Sequence, residues 1–139
     1  MPSDPRIHVE GLREFQASLK RLDSDMPKVL RLGLNSVADV VVDVARPRVA
    51  SRSGRARGSV RAKSTRTAVR VAGGGKRVPY YGWLDYGGKV GRSRSVVRPF
   101  KKEGRYLYPA YYATRDDIPR LLEDALVDTA RQAGLEVTR

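Results

Sequence analysis

The chain has 139 residues, no cysteine, one histidine, 28 Lys and Arg against 15 Asp and Glu, and a formal net charge of +13. That length fits one domain rather than a multidomain enzyme, and the lack of cysteine excludes disulfides, thiolate nucleophiles and Cys-ligated zinc. Leu, Ile, Val and Phe supply 33 residues, about 24%, just above the level at which charge points to disorder, so a folded domain with a small core supplemented by other chains is expected.

The first helical pattern follows Val9-Glu10-Gly11-Leu12. Leu12, Phe15, Leu19 and Leu22 fall on one face of a helix over 10–22. Ser24 or Asp25 can cap a second helix, with Pro27 in its first turn. That helix should run over 27–46, because Pro47 disfavours helical geometry at the residue before it. Leu30, Leu34, Val37, Val41 and Val44 make its stripe, which Val29, Leu32, Val40 and Ala45 widen, so it should be the central helix, packed on more than one side. Residues 46–58 have no periodicity and read as a loop. Val60/Ala62 and Val69/Val71 alternate with Arg61, Lys63 and Arg70, the period of two half-buried strands joined by a turn at 64–66. Gly73-Gly74-Gly75-Lys76-Arg77 reads as a flexible connection to an aromatic strand, Tyr80 to Tyr86. A second basic loop follows over 87–104, then a last short strand at 105–108. Asp116 and Asp117 cap a C-terminal helix over 117–132 that Gly134 ends. No internal repeat is visible. The expected fold is α+β: a small antiparallel sheet packed by two N-terminal helices and one C-terminal helix, with long basic loops. Val40-Val41-Val42 is the longest aliphatic run and cannot span a bilayer. The opening Met1-Pro2-Ser3-Asp4-Pro5 lacks the layout of a signal peptide. A soluble domain with no membrane partner is expected.

The charge is concentrated. Residues 46–105 hold 18 Lys and Arg against two acids, Asp85 and Glu103, a net of +16. The remainder carries 10 basic and 13 acidic residues, a net of −3. Self-repulsion of that middle calls for a partner of opposite sign. DNA and an acidic protein surface both satisfy it, and well-solvated loops are the plain alternative. The candidate DNA- or partner-contacting residues are Arg52, Arg55 and Arg57 in the first loop, and Lys89, Arg92, Arg94, Arg98, Lys101 and Lys102 in the second.

Catalytic chemistry finds little support. A phosphate-cradling loop needs glycine five residues before Gly75 and Ser or Thr after Lys76, and Arg70 and Arg77 stand there instead. His8 has no second ligand of its kind and sits in a segment expected to fray. The pairs Asp116/Asp117 and Glu123/Asp124 have cap and solvent-face explanations. Ser53 and Ser59 have no base nearby. No enzyme, metal or cofactor is expected. All seven tyrosines and the one tryptophan fall within 80–112. Tyr80, Tyr81, Trp83 and Tyr86 are candidate subunit-interface aromatics, with base stacking as the alternative.

Several motifs in order resemble a known family. Val9-Glu10-Gly11-Leu12 with Leu19-Lys20-Arg21-Leu22, then Pro47, Ser53-Gly54 and Ser59-Val60, stand where the tail-completion, or head–tail joining, proteins of long-tailed bacteriophages carry similar residues. Tyr81-Gly82-Trp83-Leu84-Asp85-Tyr86-Gly87-Gly88 resembles the family's aromatic segment, with Asp for Glu and Gly for Thr. Arg98-Pro99-Phe100 and Tyr108-Pro109-Ala110 carry two halves of a stretch that the family has in one piece. The resemblance covers about residues 7–133. It implies a non-enzymatic virion protein, made in the bacterial host cytoplasm, that forms a homo-oligomeric ring, usually of six or twelve copies, in the neck of the particle. Portal or connector proteins and tail proteins are then its neighbours, and channel DNA a non-specific contact. A tail-terminator ring and a small basic nucleic-acid-binding module are the alternatives.

Overall fold

The computed structural model describes residues 5–50, 53–65, 68–90 and 96–137. The fold is α+β, with a three-stranded antiparallel sheet and a separate two-stranded hairpin. The three-stranded sheet has the order β1-β3-β2, formed by β1 (Arg6–His8), β2 (Arg61–Ala62) and β3 (Ala68–Ala72). Ile7 pairs with Val69 and Ala62 with Val71. The alternation read at 60–71 therefore places β2 and β3 correctly. It gave no hint of β1, a three-residue strand with too few positions to show a period. His8 is not in a frayed end: it is exposed, but its backbone pairs with Ala68.

α1 (Leu12–Leu22) and α2 (Met26–Ala45) follow the expected spans. On α1, Leu12 and Leu19 are buried, whereas Leu22, on the same expected face, is 55% exposed because the chain turns away one residue later. α2 is the central element, packing against α1, the sheet and two later helices, α5 (Leu107–Thr114) and α6 (Ile118–Gln132). Leu30, Leu34, Val37, Ala38, Val41, Val42 and Ala45 are buried, but Leu32 faces solvent. α2 gives way to a 3-10 turn at Arg46–Arg48 containing Pro47. α6 crosses α2 where Gly33 faces Ala125 and Thr129, and a Cβ there would rest in ordinary van der Waals contact with both. Gly134, at φ +85°, ends α6, with the Leu135 amide donating to the Ala130 carbonyl.

The middle of the chain departs from expectation in four places. The 46–58 segment contains the 3-10 turn and a short helix, α3 (Arg55–Ser59). The aromatic segment is a helix, α4 (Tyr81–Tyr86), not a strand. Six residues cannot separate a helical period from an alternating one, and Tyr81 reaches Asp85 one turn on, a contact available only in a helix. The proposed strand at 105–108 instead leads into α5 (Leu107–Thr114), with Pro109 tolerated in its first turn. The second basic loop contains a hairpin of β4 (Gly88–Val90) and β5 (Val96–Arg98). No helix among the described residues is long and apolar enough to cross a membrane.

Gly87 joins α4 to the hairpin at φ +86°, and a Cβ there would lie 2.2 Å from the Pro99 carbonyl oxygen. Both the dihedral and the space demand glycine. Gly87→Ala should destabilise the domain by about 2 kcal/mol or more, read as a lower urea midpoint. Gly58→Ala, with open space at its Cβ position, should be neutral or stabilising, since alanine favours helix.

Candidate functional site

Asp85 is the organising side chain of the basic middle. It is fully buried, at 0% exposure, within α4. Its carboxylate accepts hydrogen bonds from the Tyr81 hydroxyl at 2.9 Å and from the backbone amides of Arg105 at 2.7 Å, Tyr106 at 3.0 Å and Leu107 at 3.4 Å. Three successive amides at the entry of α5 thus converge on one anion, which satisfies donors that a helix start leaves unpaired. Gly104, at φ +74°, lets the chain pass, since a Cβ there would lie 2.4 Å from Asp85 Oδ1. Burial, reinforced by the Asp85 carboxylate, holds the Tyr81 phenol well above its ordinary value, so it stays a donor. The Arg105 guanidinium adds bonds to the carbonyls of Asp85 and Pro99.

Arg98 secures the hairpin to this hub. Its Nε donates to the Leu84 carbonyl at 3.1 Å and Nη2 to the Tyr106 hydroxyl at 3.2 Å, while its guanidinium lies 5.6 Å from the centre of the Trp83 ring. Trp83 Nε1 donates to the Gly88 carbonyl at 3.1 Å, and the Lys101 amide to the Tyr86 carbonyl at 2.8 Å. Beyond that root the hairpin leaves apolar side chains uncovered: Val97 is 62% exposed and Val96 is exposed on the opposite face of the strand, while Phe100, just past it, is 64% exposed. Ala50, Ala56, Tyr80, Trp83, Leu84 and Arg98 line a cleft of about 620 Å³ near the root.

The candidate residues therefore divide. Arg55, Arg57, Lys89, Lys101 and Lys102 are exposed, although Arg57 also spends its guanidinium on the Val49 carbonyl. Arg98 is half-buried and committed to internal bonds. Arg52, Arg92 and Arg94 lie outside the described residues. Of the aromatics, Tyr80 is exposed and Trp83 half-buried, but Tyr81 and Tyr86 are each only 3% exposed and offer a second chain almost no surface. Tyr86 instead packs edge-on against Tyr108 inside the chain, centroids 6.5 Å apart.

Two features escaped the sequence reading. The first is the number of arginines that bond loop carbonyls: Arg46 to Val60, Arg57 to Val49, Arg61 to Ser59 and Gly74, Arg98 to Leu84 and Arg105 to Asp85. A signal existed, for 13 of the 18 basic residues over 46–105 are arginine, whose planar fork suits paired acceptors better than lysine does. The second is a groove of about 720 Å³ bordered by Arg55, Arg61, Lys76 and Arg77, which joins the first basic loop to the glycine run. That run is not a slack connection. Gly74 is buried, its amide donates to Ser59 Oγ at 3.0 Å, and its carbonyl accepts from Arg61 at 2.8 Å.

Among the described residues no three His, Cys, Asp or Glu side chains gather in a way that could hold a metal. No protein-family model, no curated protein and no solved structure matches the chain.

Removing the Asp85 carboxylate orphans several buried donors at once. Asp85→Ala should cost roughly 3 kcal/mol or more, and Asp85→Asn, which keeps one acceptor, clearly less; urea unfolding measures both. Tyr81 adds a pH term of defined sign. Its raised folded value means that the native chain keeps a proton that the unfolded phenol releases above about pH 10. Stability should therefore fall as pH rises past that point, and Tyr81→Phe should lessen the fall. Urea midpoints at pH 8 and 10.5 for both proteins give the comparison.

Proposed function

We propose that the chain is a structural subunit of the ring that joins portal to tail in a long-tailed bacteriophage, surrounding the DNA channel. The observation that carries most weight is the β4–β5 hairpin. It is bolted to the body through the Trp83–Gly88 bond and the bonds of Arg98 to Leu84 and Tyr106, yet leaves Val96, Val97 and Phe100 uncovered. A domain with few core-forming residues that still exposes such a group is short of a partner surface. The order of the motifs from Val9 to Ala110, which resembles the head–tail joining proteins, supports the same reading. A ring is built from heterologous contacts between unlike patches of identical subunits. A rigidly rooted hairpin supplies one such patch, and its flanking Lys89, Lys101 and Lys102 would add to a positive field around the axis.

The test is assembly. Imaging of the purified chain with portal-side or tail-side partners, and of particles that contain it, should show closed rings. Val97→Asp with Phe100→Asp should leave a folded monomer that no longer enters them. A chain that stays monomeric and never associates with particles would sink the proposal.

A further inference from the structure

A site of different chemistry lies away from the hairpin. Arg55, Arg61, Lys76 and Arg77 border one groove of about 720 Å³, and among the described residues no carboxylate shares its lining. We infer that this groove binds the phosphodiester backbone of a nucleic acid without reading its bases.

Three observations carry the inference. Arg55, Lys76 and Arg77 are exposed and stand together with no acidic side chain among the described lining residues, an arrangement that costs free energy until an anion joins them, while Arg61 is committed to the Ser59 and Gly74 carbonyls. The walls between them are backbone, because a Cβ at Gly58 or Gly75 would meet nothing within 4 Å, so a bulky anion can approach the main chain closely. The groove is also set in advance. Gly74 is held from both sides by Ser59 and Arg61, the Val78 amide donates to the Gly75 carbonyl at 3.1 Å, and a Cβ on Gly73 would sit 2.4 Å from the Tyr81 ring. Ligand binding therefore needs little ordering of the loop that carries Lys76 and Arg77.

The same lining chooses between the two polyanions that the composition allows. A protein partner takes most of its binding energy from aromatic or aliphatic anchors seated in pockets. Here Val78 is the one larger apolar side chain in the lining, and it is buried. Phosphate contacts need only cations and backbone donors. Among the described residues the groove carries no aromatic ring to stack on a base. Sequence-independent, salt-sensitive binding follows.

The inference stands on the groove alone and does not require the ring. Labelled duplex DNA of two unrelated sequences would be titrated with the full chain across a salt series. The double variant Lys76→Ala/Arg77→Ala should bind both sequences more weakly by the same factor. Its slope of log affinity against log salt should be shallower by about two. Gly58→Leu should weaken binding with no change in charge, by filling the groove, while thermal unfolding stays as in the parent. Lys101→Ala/Lys102→Ala removes equal charge at the hairpin root and should matter less. A duplex RNA arm shows whether the backbone recognised is that of DNA, RNA or both. Three results would each overturn the inference: no DNA binding by the parent at low salt, losses in the hairpin variant as large as in the groove variant, or tighter groove-dependent binding of poly-glutamate than of DNA. Ring assembly is scored separately, by particle size without nucleic acid, so either proposal can fail while the other stands.

Discussion

A single buried carboxylate holds the basic middle of this protein together. Asp85 sits on α4 yet takes the amides that open α5, so two helices separated by a hairpin are fixed to one another through a charge. Burying an anion is costly unless donors replace its water. Here the Tyr81 hydroxyl and the consecutive amides of Arg105 and Tyr106 supply them, with the positive end of α5 behind. The constraint spreads outward. Gly104 has no room for a side chain beside the carboxylate, and Gly87 has none beside Pro99. Arg98 and Trp83 can secure the hairpin only because α4 is held at that angle.

Against this background the arginine content takes on a different meaning. A segment of short helices, two- and three-residue strands and long turns leaves many backbone carbonyls without ladder partners, and a buried unpaired carbonyl is expensive. Guanidinium groups reach across turns and satisfy them, as Arg46 does for Val60 and Arg61 for Gly74. A good part of the local excess charge is thus structural, placed where regular hydrogen bonding is scarce. Among the described residues, what remains available to a ligand is smaller than +16, and two groups of it stand out, the groove and the hairpin root. The first is cationic throughout; the second mixes lysine with exposed valine and phenylalanine.

How legible the fold was depended on element length. α1, α2 and α6 each run for eleven residues or more, long enough for their apolar spacing to define a face. The pair β2 and β3 was readable because arginine and lysine alternate with valine and alanine. β1 and α4 were not. β1 is defined by pairing with residues some sixty positions away, which no local pattern encodes. α4 is fixed by a capping carboxylate whose partners come twenty residues later. The site was legible to a lesser degree. Charge density located its segment correctly, but only the folded chain shows that Arg55 and Lys76 share one groove while Arg98 turns inward. The glycine run misled for a physical reason. Glycine signals freedom when nothing restrains it, and here Tyr81, Ser59 and Arg61 restrain it from three directions.

The two exposed surfaces differ in the force they would use, and on the readings proposed above that difference would let one small chain serve two partners. Apolar contact through Val96, Val97 and Phe100 gains from the release of water and is barely weakened by salt; excluded ions such as sulfate strengthen it. Contact through the groove draws on counterion release and fades steeply as salt rises. On the readings proposed above, a ring held by its hairpins would persist under conditions that free the nucleic acid from the groove. Such a division suits a channel wall. The joint between subunits has to last, whereas a polyanion moving past must be held weakly, at many equivalent places, and released from each in turn. Sequence-independent phosphate contacts on a preformed groove meet that requirement, because every step along the backbone presents the same charge to the same cations.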